Sequence, residues 1–226
     1  MSFDPAAALD ESGRKRLQTV LALLAQERAS VSSVVDERAW QVHVVDSLTG
    51  LEVPELATAR RIADIGSGAG FPGLVLAVAL PVAQVDLIES VGRKCEFIRH
   101  AATEAGIANA TVRNLRSEEW AGGEGREAYE AVTARAVGRL STLAELASPL
   151  LVPGGVLVAW KGRRDLDEER QLDNASAALA MGLERTLDVG DRAGSEHRHL
   201  HVIRKTGPTP AKLPRRPGMA KKRPRG

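Results

Sequence analysis

The stretch that most restricts the fold is Asp64-Ile65-Gly66-Ser67-Gly68-Ala69-Gly70-Phe71-Pro72-Gly73, at the end of the apolar run Arg61–Ile65. Four glycines within eight positions mean that backbone comes close to something: a phosphate, another ligand or a neighbouring helix. A short β-rich run, a glycine loop and then an apolar helical pattern read as strand, loop and helix, the opening unit of a doubly wound sheet. The rest of the chain fits that frame. Strand candidates lie at 61–65, 84–88, 110–112, 131–134, 156–160, 184–189 and 199–204, with helical patterns at 72–80, 93–105, 140–148 and 166–181. Alternation of this kind implies right-handed βαβ units and a mostly parallel sheet covered on both faces. Between the cores of the last two strands there is no room for a helix, so they must form an antiparallel hairpin. The expected class is therefore α/β: a Rossmann-like, seven-stranded, mostly parallel sheet closed by an antiparallel terminal hairpin.

Ahead of the sheet, Leu17, Val20, Leu21 and Leu24 share one helical face, and Val42, Val45 and Leu48 make a shorter stripe. These define an N-terminal helical extension over residues 1–54, before the Rossmann-like domain over 55–205. Residues 206–226 differ in kind. They carry seven basic side chains, five prolines and no acidic residue, so the preceding 205 residues hold a net charge of −5 within a chain of +2. Such a segment buries little and is expected to be a flexible arm for nucleic-acid phosphates.

Other classes are disfavoured. No stretch approaches a membrane span, and the opening residues lack the apolar run of a signal peptide, so a cytoplasmic location is expected. A single cysteine, Cys95, forms no internal disulfide and reads as a core position on a helix. His197, His199 and His201 alternate along a strand, but acidic or cysteine partners at ligand spacing are missing, so no metal is expected.

In a doubly wound sheet the ligand sits beyond the carboxyl ends of the strands, which is where the loop after 61–65 lies. Glu89 ends the second strand candidate, placed as a carboxylate that accepts from the two hydroxyls of a ribose. Nicotinamide and flavin enzymes use G-x-G-x-x-G against a pyrophosphate. Here the spacing is Gly66-x-Gly68-x-Gly70 with Asp64 before it, similar to the cofactor loop of S-adenosylmethionine-dependent methyltransferases. An acidic neighbourhood suits that ligand's α-ammonium. The turn Leu151-Val152-Pro153-Gly154-Gly155 also resembles that class. Two alternatives stay open: glycines that serve only strand–helix packing, and a nicotinamide cofactor.

Motifs of the commoner methylation chemistries are missing. Cys95 is in the wrong region for pyrimidine carbon attack, and Thr133-Ala134-Arg135-Ala136 lacks the prolines and aromatic of exocyclic-amine enzymes. Lys161 has no companions of the ribose-methylating set. Guanine N7 carries an in-plane lone pair and requires alignment but no general base.

With those residues in view, the chain resembles the RsmG family of bacterial small-subunit rRNA guanine-N7 methyltransferases, also called glucose-inhibited division protein B. The matching stretches are His43 to Leu48, Asp64 to Gly73, Glu89 to Lys94, Thr133 to Ala136, Trp160-Lys161-Gly162, Arg198-His199-Leu200 and Pro214 to Gly218. The resemblance implies methyl transfer from S-adenosylmethionine to a guanine N7 of 16S rRNA. It implies a cofactor pocket of Asp64, Gly66, Gly68, Gly70, Phe71 and Glu89, adenine contacts from Ser117 and Glu118, and Arg135 positioning the methionine end and the target base. Arg93, Lys94, Lys161, Arg198, Arg215 and Arg216 become candidates for rRNA contact. His43 and Asp46, one helical turn apart, are candidates for closing the site. A monomer acting on the small ribosomal subunit, without membrane or metal, is the expectation. The rivals are a non-catalytic rRNA-binding or assembly factor on the same scaffold and a small-molecule methyltransferase. The glycine-rich segment 121–127 departs from the family pattern and puts local order after the adenine contacts in doubt.

Overall fold

The structure is a computed structural model that describes residues 4–27, 38–135, 138–193 and 197–225; Ala136, part of one motif above, lies outside them. The chain opens with α1 (Glu11–Gln26), whose first turn is capped by Asp10 accepting from the Gly13 N–H at 2.7 Å. Leu17, Val20 and Leu24 form its buried face, packed toward the sheet helices. The second apolar stripe takes an unexpected form. Trp40–Val45 is a π-helical turn, followed by the single turn α2 (Asp46–Leu48) and, after a 3₁₀ turn, by α3 (Pro54–Ala57). The wider i→i+5 winding rotates His43, Val44 and Asp46 inward and leaves Val42 and Val45 only half-buried. An α-helical period cannot anticipate that rotation.

The sheet contains β1 (Arg61–Ile65), β2 (Gln84–Ile88), β3 (Ala110–Arg113), β4 (Tyr129–Arg135), β5 (Leu151–Lys161), β6 (Met181–Asp188) and β7 (His199–Lys205). Its order is β3-β2-β1-β4-β5-β7-β6, with β7 antiparallel to both β5 and β6 and all other pairs parallel. Connecting helices are α4 (Gly73–Ala79), α5 (Gly92–Glu104), α6 (Ser117–Ala121), α7 (Leu140–Ala147) and α8 (Leu166–Leu179). One apolar layer joins α1, α4 and α5 to the sheet through Leu17, Leu74 and Ile98; the other joins α7 and α8 through Leu143, Leu172 and Leu179. Strand order reverses between β1 and β4, so the glycine loop leaves β1 at the switch point.

Three expectations need correction. The connection before β7 does contain a helix, the single turn α9 (Gly190–Ala193), although β6 and β7 are antiparallel as expected. β6 begins at Met181 rather than 184, because Ala180 ends α8 in a left-handed conformation and Met181 already pairs with Lys205. The tail, expected to be flexible, is packed against the body. The fully buried Lys205 starts it, donating to Glu127 Oε1 at 2.8 Å, the Leu151 carbonyl at 2.6 Å and Thr209 Oγ1 at 2.7 Å. Leu213 and Ala220 are buried, and the last turn, α10 (Met219–Lys222), lies against α7. Composition misses this because two small apolar anchors and one buried acid, Glu145 on α7, suffice to hold the segment: Arg215 grips both oxygens of Glu145 at 2.5 and 2.6 Å.

Candidate functional site

Two of the loop glycines do different work. Gly68 has a φ of +61°, and a side chain there would meet nothing nearer than the Gly66 carbonyl at 3.9 Å, so this backbone faces open space. At Gly70, with φ +92°, a Cβ would fall 2.6 Å from Leu74 Cδ1, so this glycine serves strand–helix packing. The packing reading thus accounts for Gly70, while Gly68 leaves its backbone open to approach.

Two carboxylates hold the loop in shape. Glu89, buried at the end of β2, accepts from the Gly68 N–H at 3.1 Å and the Val91 N–H at 2.9 Å. Asp64 is fully buried and accepts from the Gly73 N–H at 3.1 Å and from Thr133 Oγ1 at 2.9 Å. Burial pushes its carboxyl up to about 6, against the opposing hydrogen bonds of Thr133, Ser67 and Gly73. Both Asp64 oxygens are thus turned onto the protein, and the residue ties the loop to α4 and β4.

A cavity of about 440 Å³ opens beside this loop, beyond the ends of β1 and β2. It brings together Gly66, Glu89, Ser117 and Glu118, four of the residues singled out from the sequence. α6 carries the last two and is set by a buried relay. The Trp120 indole N–H donates to Tyr129 Oη at 2.7 Å, and the Tyr129 hydroxyl donates to Asp86 Oδ2 at 2.7 Å. Arg113 reaches Asp86 Oδ1 at 3.0 Å and lies over the Trp120 ring. Burial, reinforced by Asp86, holds the Tyr129 phenol above its usual range. The glycine-rich segment 121–127 folds back on the same residue: the Gly123 and Gly125 N–H groups donate to the Trp120 carbonyl at 3.1 Å, and a Cβ at Gly125 would fall within the Trp120 indole.

The cavity also has walls that the sequence did not suggest: Leu115, Thr142 and Leu146, and the tail residues Gly218, Ala220, Lys221 and Lys222. A two-residue periodicity argument carries no signal for the first three. The basic run did flag the tail, but only as a phosphate contact.

Phe71 and Arg135 occupy a second cluster at the switch point. Phe71 stacks on His43 with centroids 4.6 Å apart, and the Arg135 guanidinium lies 5.8 Å from the Phe71 ring. Arg135 donates to the Val42 carbonyl at 2.9 Å and Asp46 Oδ2 at 3.0 Å, and its Nη2 lies 3.3 Å from His43 Nδ1. Burial holds Arg135 below its ordinary range, with Asp46 opposing. Arg198 Nε stands 2.8 Å from Asp46 Oδ1. His43 and Asp46 thus meet through Arg135, as a clasp between the π-helical turn and the end of β4.

The six residues considered for rRNA contact separate. Arg93 and Arg216 are exposed and Lys94 is half-buried. Lys161 pairs with Glu168 at 2.8 Å, Arg198 with Asp46, and Arg215 with Glu145. Among the described residues no group of three His, Cys, Asp or Glu side chains is arranged to hold a metal, and no helix is long and apolar enough to cross a membrane.

Comparison with known proteins agrees with this architecture. An S-adenosylmethionine-dependent methyltransferase from Aquifex aeolicus superposes with a TM-score of 0.53 at 17% identity, covering 91% of this chain and all of that one. A fibrillarin pre-rRNA processing protein from Methanococcus jannaschii gives 0.51 at 15% identity, covering 66% of this chain and 67% of that one. At these identities the likeness is one of fold. Sequence goes further. Ribosomal RNA small subunit methyltransferase G of Rubrobacter xylanophilus is 41% identical over 186 residues, 80% of this chain and 71% of the relative. The protein of that name from Staphylococcus aureus strain JH9 is 32% identical over 219 residues, 96% of this chain and 92% of the relative. The family model described as rRNA small subunit methyltransferase G matches residues 13–199, and with those relatives it establishes that this chain belongs to that family.

Proposed function

We propose that this protein, acting as a cytoplasmic monomer, transfers a methyl group from S-adenosylmethionine to N7 of a guanine in 16S rRNA of the small ribosomal subunit. The observation that carries this reading is the cavity bounded by Gly66, Glu89 and α6 beside the open backbone of Gly68, in a chain matched by its family across residues 13–199. The residues fit the donor. Glu89 presents a buried carboxylate at the end of β2, suited to vicinal ribose hydroxyls, and Ser117 and Glu118 offer polar atoms for an adenine edge. When bound, the cofactor supplies an electrophilic methyl on a sulfonium. The protein's own contribution is alignment and shielding. Asp64 fixes the loop, while Phe71, His43 and Arg135 pack on one another, largely buried, at the switch point and brace the side of the site where the base would be aligned. N7 has a free lone pair, so no side chain needs to take a proton. Arg93, Lys94, Arg216 and the lysines of the tail supply positive charge for phosphates around the site.

The direct test is transfer of a labelled methyl group to small subunits that lack the modification, followed by mapping of the labelled nucleotide. Label at a guanine N7 of 16S rRNA is expected. Label on a small molecule only, or on another rRNA atom, would overturn the assignment.

A further inference from the structure

We propose that the C-terminal segment 218–222 is itself part of the donor site and forms the wall that covers the nucleoside end of S-adenosylmethionine. This rests on the donor reading above and assigns the segment a role distinct from phosphate binding. Gly218, Ala220, Lys221 and Lys222 line the same cavity as Glu89, Ser117 and Glu118. Contact across the cavity is direct: the Gly218 N–H donates to Glu118 Oε1 at 2.7 Å, which ties the tail to the helix that presents the polar edge of the site. On the other side Thr142 Oγ1 lies 3.5 Å from the Ala220 carbonyl. The segment is held in that place by a clamp on α7. Arg215 takes both oxygens of the buried Glu145 and donates to the Arg223 carbonyl at 2.8 Å, and Arg225 Nε stands 3.8 Å from Glu145 Oε2. Upstream, Arg126 donates to the Leu213 carbonyl at 3.3 Å.

These contacts give the tail a fixed seat on the cavity, independent of nucleic acid. A ligand seated between Glu89 and α6 touches this segment on its third side. Binding and tail closure are then linked, and each stabilises the other by the same factor. The exposed Lys221 and Lys222 stand at the rim of the covered cavity, so the segment that meets phosphates also covers the donor.

The test uses the full chain and S-adenosylhomocysteine as probe. Gly218→Pro removes the N–H that Glu118 accepts and forbids the φ of +81° found there. Calorimetry is expected to give a dissociation constant about tenfold weaker than wild type. In the wild-type protein, saturating probe is expected to slow trypsin cleavage after Lys221 and Lys222 severalfold. The protease arm needs no substitution, so it decides the matter even if Gly218→Pro does not fold. Wild-type binding with unchanged affinity in Gly218→Pro, or with unchanged tail cleavage, would overturn this inference and leave the donor reading standing. No binding to the wild-type protein would overturn both.

Discussion

At the residue scale the loop after β1 makes separable demands on its members. Gly68 faces open space with a left-handed backbone, so Gly68→Asp is expected to place a charged side chain in the proposed path of the donor and to strain the turn. Donor affinity should fall at least about 100-fold by calorimetry, beyond what the modest loss of stability from the strained turn explains; retained affinity would remove Gly68 from the pocket. Asp64 predicts a pH dependence instead. Its carboxyl is raised to about 6 from an ordinary 3.8, chiefly by burial. The folded protein therefore holds this proton at pH values where the unfolded chain has released it. The resulting stabilisation is fully present below the unfolded value and is lost as pH rises through about 6, by about 3 kcal/mol in all. Asp64→Asn cannot titrate. The wild-type stability minus that of Asp64→Asn, measured by urea unfolding, should fall between pH 4 and pH 7, and a flat difference would contradict the assignment.

At the element scale, α6 is a five-residue helix whose position depends on the relay from Trp120 through Tyr129 to Asp86. Tyr129→Phe leaves the indole N–H without its acceptor and Asp86 without one donor, in surroundings where Tyr129 is fully buried. A loss of about 1–3 kcal/mol is expected by urea unfolding, together with weaker donor binding because Ser117 and Glu118 move with α6. Unchanged stability and affinity would show that α6 does not rely on the relay. Sequence and structure part company at this level. The strands of the parallel region were legible because β1 and β2 are buried from their second residue on and read as short apolar runs, each interrupted by a single aspartate. Glu89 and the glycines were legible because their spacing to a strand end carries the chemistry. Tyr129 and Trp120 were not, since a hydrogen-bond relay between β4, α6 and β2 leaves no periodic trace. The same holds for Thr142 and Leu146, which reach the cavity from a helix distant in sequence. The π-helical turn was missed for a different reason: one extra residue per turn changes the buried face without changing composition.

At the scale of the whole molecule, Asp46 is a polar junction between the N-terminal segment and the sheet, beside the apolar packing of α1 on α4 and α5. It is 1% exposed, meets Arg135 from the end of β4 and Arg198 from the residue before β7, and its carbonyl accepts from the Trp160 indole of β5 at 2.8 Å. Arg135 was singled out as a residue that positions cofactor and base. Its donors to Asp46 and the Val42 carbonyl give it a structural duty as well. Arg135→Ala is therefore expected to lower both turnover and stability. Breaking a buried ion pair from one side commonly costs about 3–5 kcal/mol, and Arg198 remains to compensate in part, so about 2–3 kcal/mol is expected here. A double-mutant cycle separates the two duties. Asp46→Asn removes the charge that Arg135 neutralises, so the double variant Arg135→Ala, Asp46→Asn should be more stable than the sum of the single losses predicts. Methyl transfer should not recover alongside it, because Arg135 also lies over Phe71 at the proposed base site. Recovery of both quantities would confine Arg135 to joining the N-terminal segment to the sheet. Strict additivity in stability would mean that Asp46 and Arg135 act independently, and the clasp between the π-helical turn and β4 would have to be sought in Arg198.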